Sequence, residues 1–193
     1  VLPEVRGLER GVMRALDESE GDALVFLPGK AEIASVASAL SGRADLSVVP
    51  LHGGLGLAEQ RRAFRPVERR KVVLSTNVAE TSVTVPGIEV VIDGGLVRRT
   101  RYHRGRGFLT LVPVARDSAD QRAGRAGRTG PGTCIRLWDE AAKLRPSTPP
   151  EIHRESLLPL VLAVAARDAS VEALSFLDPP ADYAAEAARA EAR

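Results

Sequence analysis

Four short runs, ALVFL at 23–27, LSVVPL at 46–51, KVVLS at 71–75 and IEVVI at 88–92, most narrow the folds open to this chain. Each has the length of a strand, and the unbroken apolar stretch at 23–27 is the pattern of a strand covered on both faces. Helical spacing fills the intervals. Leu8, Val12 and Leu16 recur every four residues within 7–20, Ile33, Val36, Ala37 and Leu40 share one side of 30–40, and a further helix is expected over 57–64. Strands alternating with helices call for right-handed crossovers, hence an α/β fold: a parallel sheet with helices on both faces.

Beyond 93 the pattern loosens. Residues 108–113 alternate apolar and polar, as in an exposed strand or half a hairpin; 117–125 reads as a helix and 133–138 as the last strand. From Pro146 the texture turns proline-rich, then to an apolar helix over 157–166 and a short one near 171–176. The expected organisation is a sheet domain over 1–145 and a helical connector over 146–193.

Composition excludes several classes. A chain of 193 residues with 44% hydrophobic and 27% charged residues buries a core without disulfides and is not of disordered composition. Cys134 is the single cysteine, so no internal disulfide or thiolate metal cluster forms, and its apolar neighbours in TCIRLW predict a buried core residue. There is no long apolar span and no basic-then-apolar leader, so a soluble, cytoplasmic protein with no membrane role is expected. The net charge of +2 argues little for nucleic acid, but arginines crowd 61–70 and 98–128.

Open parallel sheets bind ligands at the carboxyl ends of their strands. The loops at 28–30, 52–56, 76–86 and 93–95, and the turn before Gln121, are therefore the ones to inspect. QRAGRAGR at 121–128 sets Arg122, Arg125 and Arg128 three apart, and Gly124 and Gly127 allow close approach. Guanidinium groups so placed stabilise charge on a phosphoryl group in transfer, and serve equally well as a basic face for nucleic-acid phosphates. STNVAETSVTV at 75–85 gathers hydroxyls, an amide and a carboxylate in a loop expected to join a strand to a helix, suited to phosphate and richer than capping requires.

In order, GDALVFLPGKAEI (21–33), PLHGGL (50–55), KVVLSTNVAETSVTVPGIEVVIDGG (71–95) and QRAGRAGRTGPG (121–132) resemble the motifs of the second RecA-like domain of DEAH-box helicases, nearest to the bacterial HrpB-type branch. The resemblance covers about residues 1–180. It implies a RecA-like sheet and a superfamily 2, ATP-dependent nucleic-acid helicase with RNA as the expected strand. Gln121 then positions the attacking water, while Arg125 and Arg128 contact the phosphates. Ser82 senses the γ-phosphate, Phe64 stacks on adenine and Asp93 holds the ribose, the plain alternative for Phe64 being a buried helix end. Gly53 and Gly54 contact the strand through backbone amides, joined by Thr76, Asn77 and Thr81. Residues 98–106 match a hook-like loop, with Arg98 and Arg101 as phosphate ligands, and 108–113 match a strand-separating β-hairpin.

Neither GxxxxGK[ST] nor DEAH occurs in the chain, so the groups that hold the phosphates and Mg²⁺ in such ATPases are absent from it. The resemblance implies that an N-terminal RecA-like domain supplies them, that ATP and Mg²⁺ are the cofactors, and that the chain by itself is inactive. It also sets a domain boundary near Val1 and leads residues 157–180 towards a winged-helix domain. The competing reading is a nucleic-acid-binding or regulatory module that has lost catalysis, opposed by the intact QRAGRAGR. A translocase of another helicase group is disfavoured by STNVAETS.

Overall fold

A computed structural model describes residues 4–81, 83–103, 106–128, 130–153, 156–180 and 188, with the side chains of 101–103, 106, 107 and 151 outside the description. Contacts divide the chain into two compact units, Val1–Arg98 with Leu111–Thr148, and Arg99–Thr110 with Pro149–Arg193.

The first unit holds a five-stranded sheet of β1 (Asp22–Phe26), β2 (Leu46–Leu51), β3 (Arg70–Ser75), β4 (Ile88–Asp93) and β7 (Thr133–Arg136), in the order β2-β3-β1-β4-β7. Every pairing is parallel, with Leu24 opposite Val73 on one side and Val91 on the other. Alternation explains why β1 reads as unbroken apolar sequence. Ala23 and Val25 face one core, with α1 (Leu8–Asp17) and α2 (Lys30–Ala39), whereas Leu24 and Phe26 face a second core. The second core is closed by Ala63 of the 3-10 turn Arg61–Phe64 and by Ala79, Val83 and Val85 of the β3–β4 connection. The step from β1 out to β2 crosses on the first face and the steps back cross on the second, as one handedness requires.

Three expectations are corrected. The helix expected over 57–64 is only one turn of α-helix, α3 (Leu57–Gln60), followed by the 3-10 turn. Residues 76–87 do not lead into a helix: they hold one 3-10 turn, Asn77–Ala79, and run on to β4 as a crossover. The β-branched and proline-containing SVTVPG disfavours helix there, and Val83 and Val85 reach the core without one. Residues 98–103, matched to a loop, belong to a strand, β5 (Leu96–His103), paired with β6 (Arg106–Pro113). Arginine stems and β-branched threonine suit a ribbon that needs no apolar face, which is why hydropathy hides it.

α4 (Arg116–Ala123) precedes β7; it starts one residue before the helix expected over 117–125 and ends two residues before it. In the second unit, α5 (Leu158–Ala165) and the 3-10 turn Val171–Ala173 pack Leu157, Val161, Val171 and Ala188 into a small cluster. Among the described residues no helix is long and apolar enough to cross a membrane.

Candidate functional site

Arg122 is the pivot of the site. It is the largest fully buried side chain of the described residues, 1% exposed, because α4 turns Ser118, Ala119 and Arg122 inward on one face. Its Nε donates to Glu80 Oε2 at 2.9 Å, its Nη1 donates to Asp93 Oδ1 at 2.9 Å, and its guanidinium lies 5.0 Å from the centre of the Phe26 ring. Ser118 Oγ donates to the other Glu80 oxygen at 2.5 Å. Removing one partner from such a buried pair costs about 3–5 kcal/mol, so this network holds α4 rigidly on the ends of β1 and β4.

Asp93 departs from the role that the resemblance implied. It is fully buried, and its Oδ1 accepts both Arg122 and the Gly95 amide at 2.8 Å. Oδ2 is buried without a partner. Burial pushes its carboxyl above the usual carboxylate value, against the pull of Arg122 and of the Gly95 amide. A carboxylate so enclosed anchors Arg122 and presents no free face to a ribose.

Because α4 starts beside the carboxyl ends of the strands and runs back across the sheet, Arg125 and Arg128 lie beyond its end, in a turn near the amino end of β4, where the Gly127 amide meets the Ile88 carbonyl at 3.4 Å. They are therefore not helical neighbours of Arg122. Arg128 Nη1 donates to Thr84 Oγ1 at 3.1 Å; Arg125 Nη1 lies 3.4 Å from the same oxygen, and its Nη2 donates to the Glu80 carbonyl. Neither has a carboxylate at ion-pair distance among the described residues. Burial first, then the charge of Arg128, lowers the Arg125 guanidinium from its ordinary value, against the pull of Glu80. Gly127 adopts φ +72, whereas Gly124 is in ordinary helical conformation. Gln121 is exposed on α4, and Ser82 lies outside the described residues. Phe64 keeps 37% of its surface exposed beside the buried Ala63, so it is not a buried helix end.

A second group gathers at the carboxyl edge of the sheet. The Thr76 amide donates to the Leu51 carbonyl at 3.2 Å, which sets the 52–56 and 76–81 loops side by side. Gly53, Gly54, Asn77 and Thr81 are exposed. The Gly54 amide donates to His52 Nδ1 at 3.2 Å, and Lys30 Nζ lies where a side chain at 54 would begin. Arg98 Nη2 donates to Glu32 Oε1 at 2.6 Å with its Nε against Gly29, while the Arg101 side chain lies outside the described residues.

Sequence reasoning missed Glu80, Ser118, Thr84, Lys30 and Glu32. One signal for the network was present: Ser118 and Arg122 stand four apart on a helix whose remaining inward residue is alanine, which leaves room for a buried guanidinium. No group of three or more His, Cys, Asp or Glu able to hold a metal occurs among the described residues.

Residues 8–130 match the family model described as the helicase conserved C-terminal domain. The chain is 42% identical over 180 residues to the human protein named probable ATP-dependent RNA helicase DHX35, covering 84% of this chain and 26% of that protein. To the ATP-dependent RNA helicase HrpA of Escherichia coli K12 it is 38% identical over 195 residues, 93% of this chain and 15% of that protein. The solved DEAH/RHA helicase HrpB of Escherichia coli superposes with a TM-score of 0.87 at 36% identity, covering 98% of this chain and 26% of that one. The chain thus spans about a quarter or less of the length of these relatives. A family match running from α1 past α4, with relatives sharing nearly the whole chain, makes this chain a member of the helicase conserved C-terminal domain family, the second RecA-like domain of the DEAH-box helicases.

Proposed function

We propose that the chain is one motor domain of an ATP-dependent RNA helicase, supplying arginine fingers to a nucleotide whose phosphate loop and Mg²⁺ ligands belong to an N-terminal RecA-like domain. The observation that carries this reading is the division of labour among the three arginines. Arg122 is spent on Glu80 and Asp93, while among the described residues Arg125 and Arg128 meet only neutral acceptors, the Thr84 hydroxyl that both approach and, for Arg125, the Glu80 and Val83 carbonyls. Two unneutralised guanidinium groups a few ångströms apart make a place for a polyanion, since arginine keeps its charge throughout the physiological range.

The chemistry needed there is stabilisation of charge on the γ-phosphoryl oxygens, with Gln121 orienting the attacking water. Mg²⁺ bridges phosphate oxygens in such reactions, and its ligands are expected from the partner domain. Ser82 is the proposed γ-phosphate sensor and Phe64 the adenine platform, its exposure consistent with stacking. Single-stranded RNA is proposed to cross the carboxyl edge over Gly53, Gly54, Thr76, Asn77 and Thr81, with Arg98 and Arg101 on its phosphates. Phosphate contacts read no base, so binding is independent of sequence. Residues 146–193 are proposed to lead into a winged-helix domain.

Steady-state ATP hydrolysis, with and without single-stranded RNA, tests the reading. The chain alone should be inactive and the chain joined to its phosphate-loop domain active. Arg125→Ala or Arg128→Ala should lower kcat by about a thousandfold, the usual worth of an arginine finger. Hydrolysis by the isolated chain, or indifference to both substitutions, refutes the split site.

A further inference from the structure

The two candidate sites are joined through a single residue. Glu80 uses its carboxylate to hold α4, one oxygen taking Ser118 Oγ at 2.5 Å and the other Arg122 Nε at 2.9 Å. Its carbonyl accepts Arg125, and its amide donates to the Asn77 carbonyl at 3.0 Å, closing the 3-10 turn of the 76–81 loop. From Arg125, on the nucleotide side, to Asn77, on the nucleic-acid side, the path is thus two hydrogen bonds and one residue.

We propose that Glu80 is a positioning residue that couples nucleotide binding to nucleic-acid binding: drawing Arg125 towards a phosphate removes its bond to the Glu80 carbonyl and releases the 76–81 turn. The carboxylate matters because it clamps the residue to α4. With the side chain held by Ser118 and Arg122, a change at the carbonyl is taken up by the turn and not by the helix. Asp93 and the Phe26 ring hold Arg122 from the other side, so the clamp has a fixed base. Coupling of this kind is reciprocal, nucleotide shifting RNA affinity by the same factor as RNA shifts nucleotide affinity.

The inference rests on the helicase reading above. Its test is the RNA affinity of the full polypeptide that carries this chain, read by fluorescence anisotropy of a labelled oligouridylate with and without a non-hydrolysable ATP analogue and Mg²⁺. In the unsubstituted protein the analogue should shift the RNA Kd by roughly tenfold, within the usual range of coupling between sites. In Glu80→Gln the shift should shrink to less than about twofold, while the Kd without nucleotide stays within about threefold, a pattern that purely structural damage does not produce. An unchanged shift, or a loss of RNA binding equal with and without analogue, overturns the proposal.

Ser118→Ala removes only the hydroxyl donor and leaves every buried charge paired, so it decides the matter if Glu80→Gln fails to fold. Its shift should fall at least about twofold, and an unaltered one refutes the clamp. Absence of any nucleotide effect in the unsubstituted protein also overturns the coupling. ATP hydrolysis that still depends on Arg125 would then locate the failure in the coupling and not in the helicase reading.

Discussion

Arginines of identical chemistry three positions apart meet opposite fates here, and the cause is geometric. Arg122 lies within α4 on its inward face and is wholly buried, whereas Arg125 and Arg128 follow the end of the helix, Arg125 partly buried and Arg128 exposed. The resemblance singled out the last two, but nothing in their spacing did. Cys134 makes a similar point. Its neighbours predicted a core position, and the structure makes it only partly buried, packed against the second core from the edge strand β7. Burial, then the charge of Asp93, pushes its thiol from an ordinary 9.0 up to about 11. The thiolate fraction at pH 8 is thereby about a hundredfold lower in the folded chain than in the unfolded one. Iodoacetamide at pH 8 should alkylate the native chain at least about tenfold more slowly than the chain in urea; equal rates would show that the thiol is open to solvent. Since the folded value lies above the unfolded one, the contribution of this thiol to stability is complete below pH 9.0 and is lost as pH rises towards about 11.

Elements were legible where a period was strong and obscure where tertiary contacts replaced it. The four runs at 23–27, 46–51, 71–75 and 88–92 are strands β1 to β4 within one residue at either end. The β5–β6 ribbon was half seen, since the arginine-rich run RRTRYHRGR at 98–106 carries no apolar alternation that would mark a strand. The crossover at 76–87 was taken for the start of a helix because its hydroxyl-rich opening resembles a cap, yet among its described residues the only helical piece is the 3-10 turn Asn77–Ala79. The turn after α4 depends on Gly127: at φ +72 a β-carbon would be strained, and it would stand 2.9 Å from the Gly130 carbonyl oxygen. Gly127→Ala should destabilise the chain by about 1–3 kcal/mol in urea titration, and it should also weaken ATP hydrolysis through displacement of Arg128. A neutral result would mean that the turn relaxes without cost.

For the molecule as a whole, the proposed RNA path predicts a salt signature. Arg98 spends one donor on Glu32 and has others for phosphate. Arg98→Ala should reduce the slope of log affinity against log salt by about 0.7, the worth of one phosphate contact on a single strand, without changing preference among base sequences. An unaltered slope would remove Arg98 from the path. By itself the sequence determined the α/β class, the order of the first four strands along the chain and, through ordered motifs, the helicase family, because these depend on local period and on residue types at fixed spacing. Only the tertiary structure decided that β7 lies beside β4, that Asp93 is an enclosed anchor, and that Glu80 ties Arg125 to Asn77. Those facts arise where segments tens of residues apart meet, and no local pattern records which of several identical charges is buried once they do.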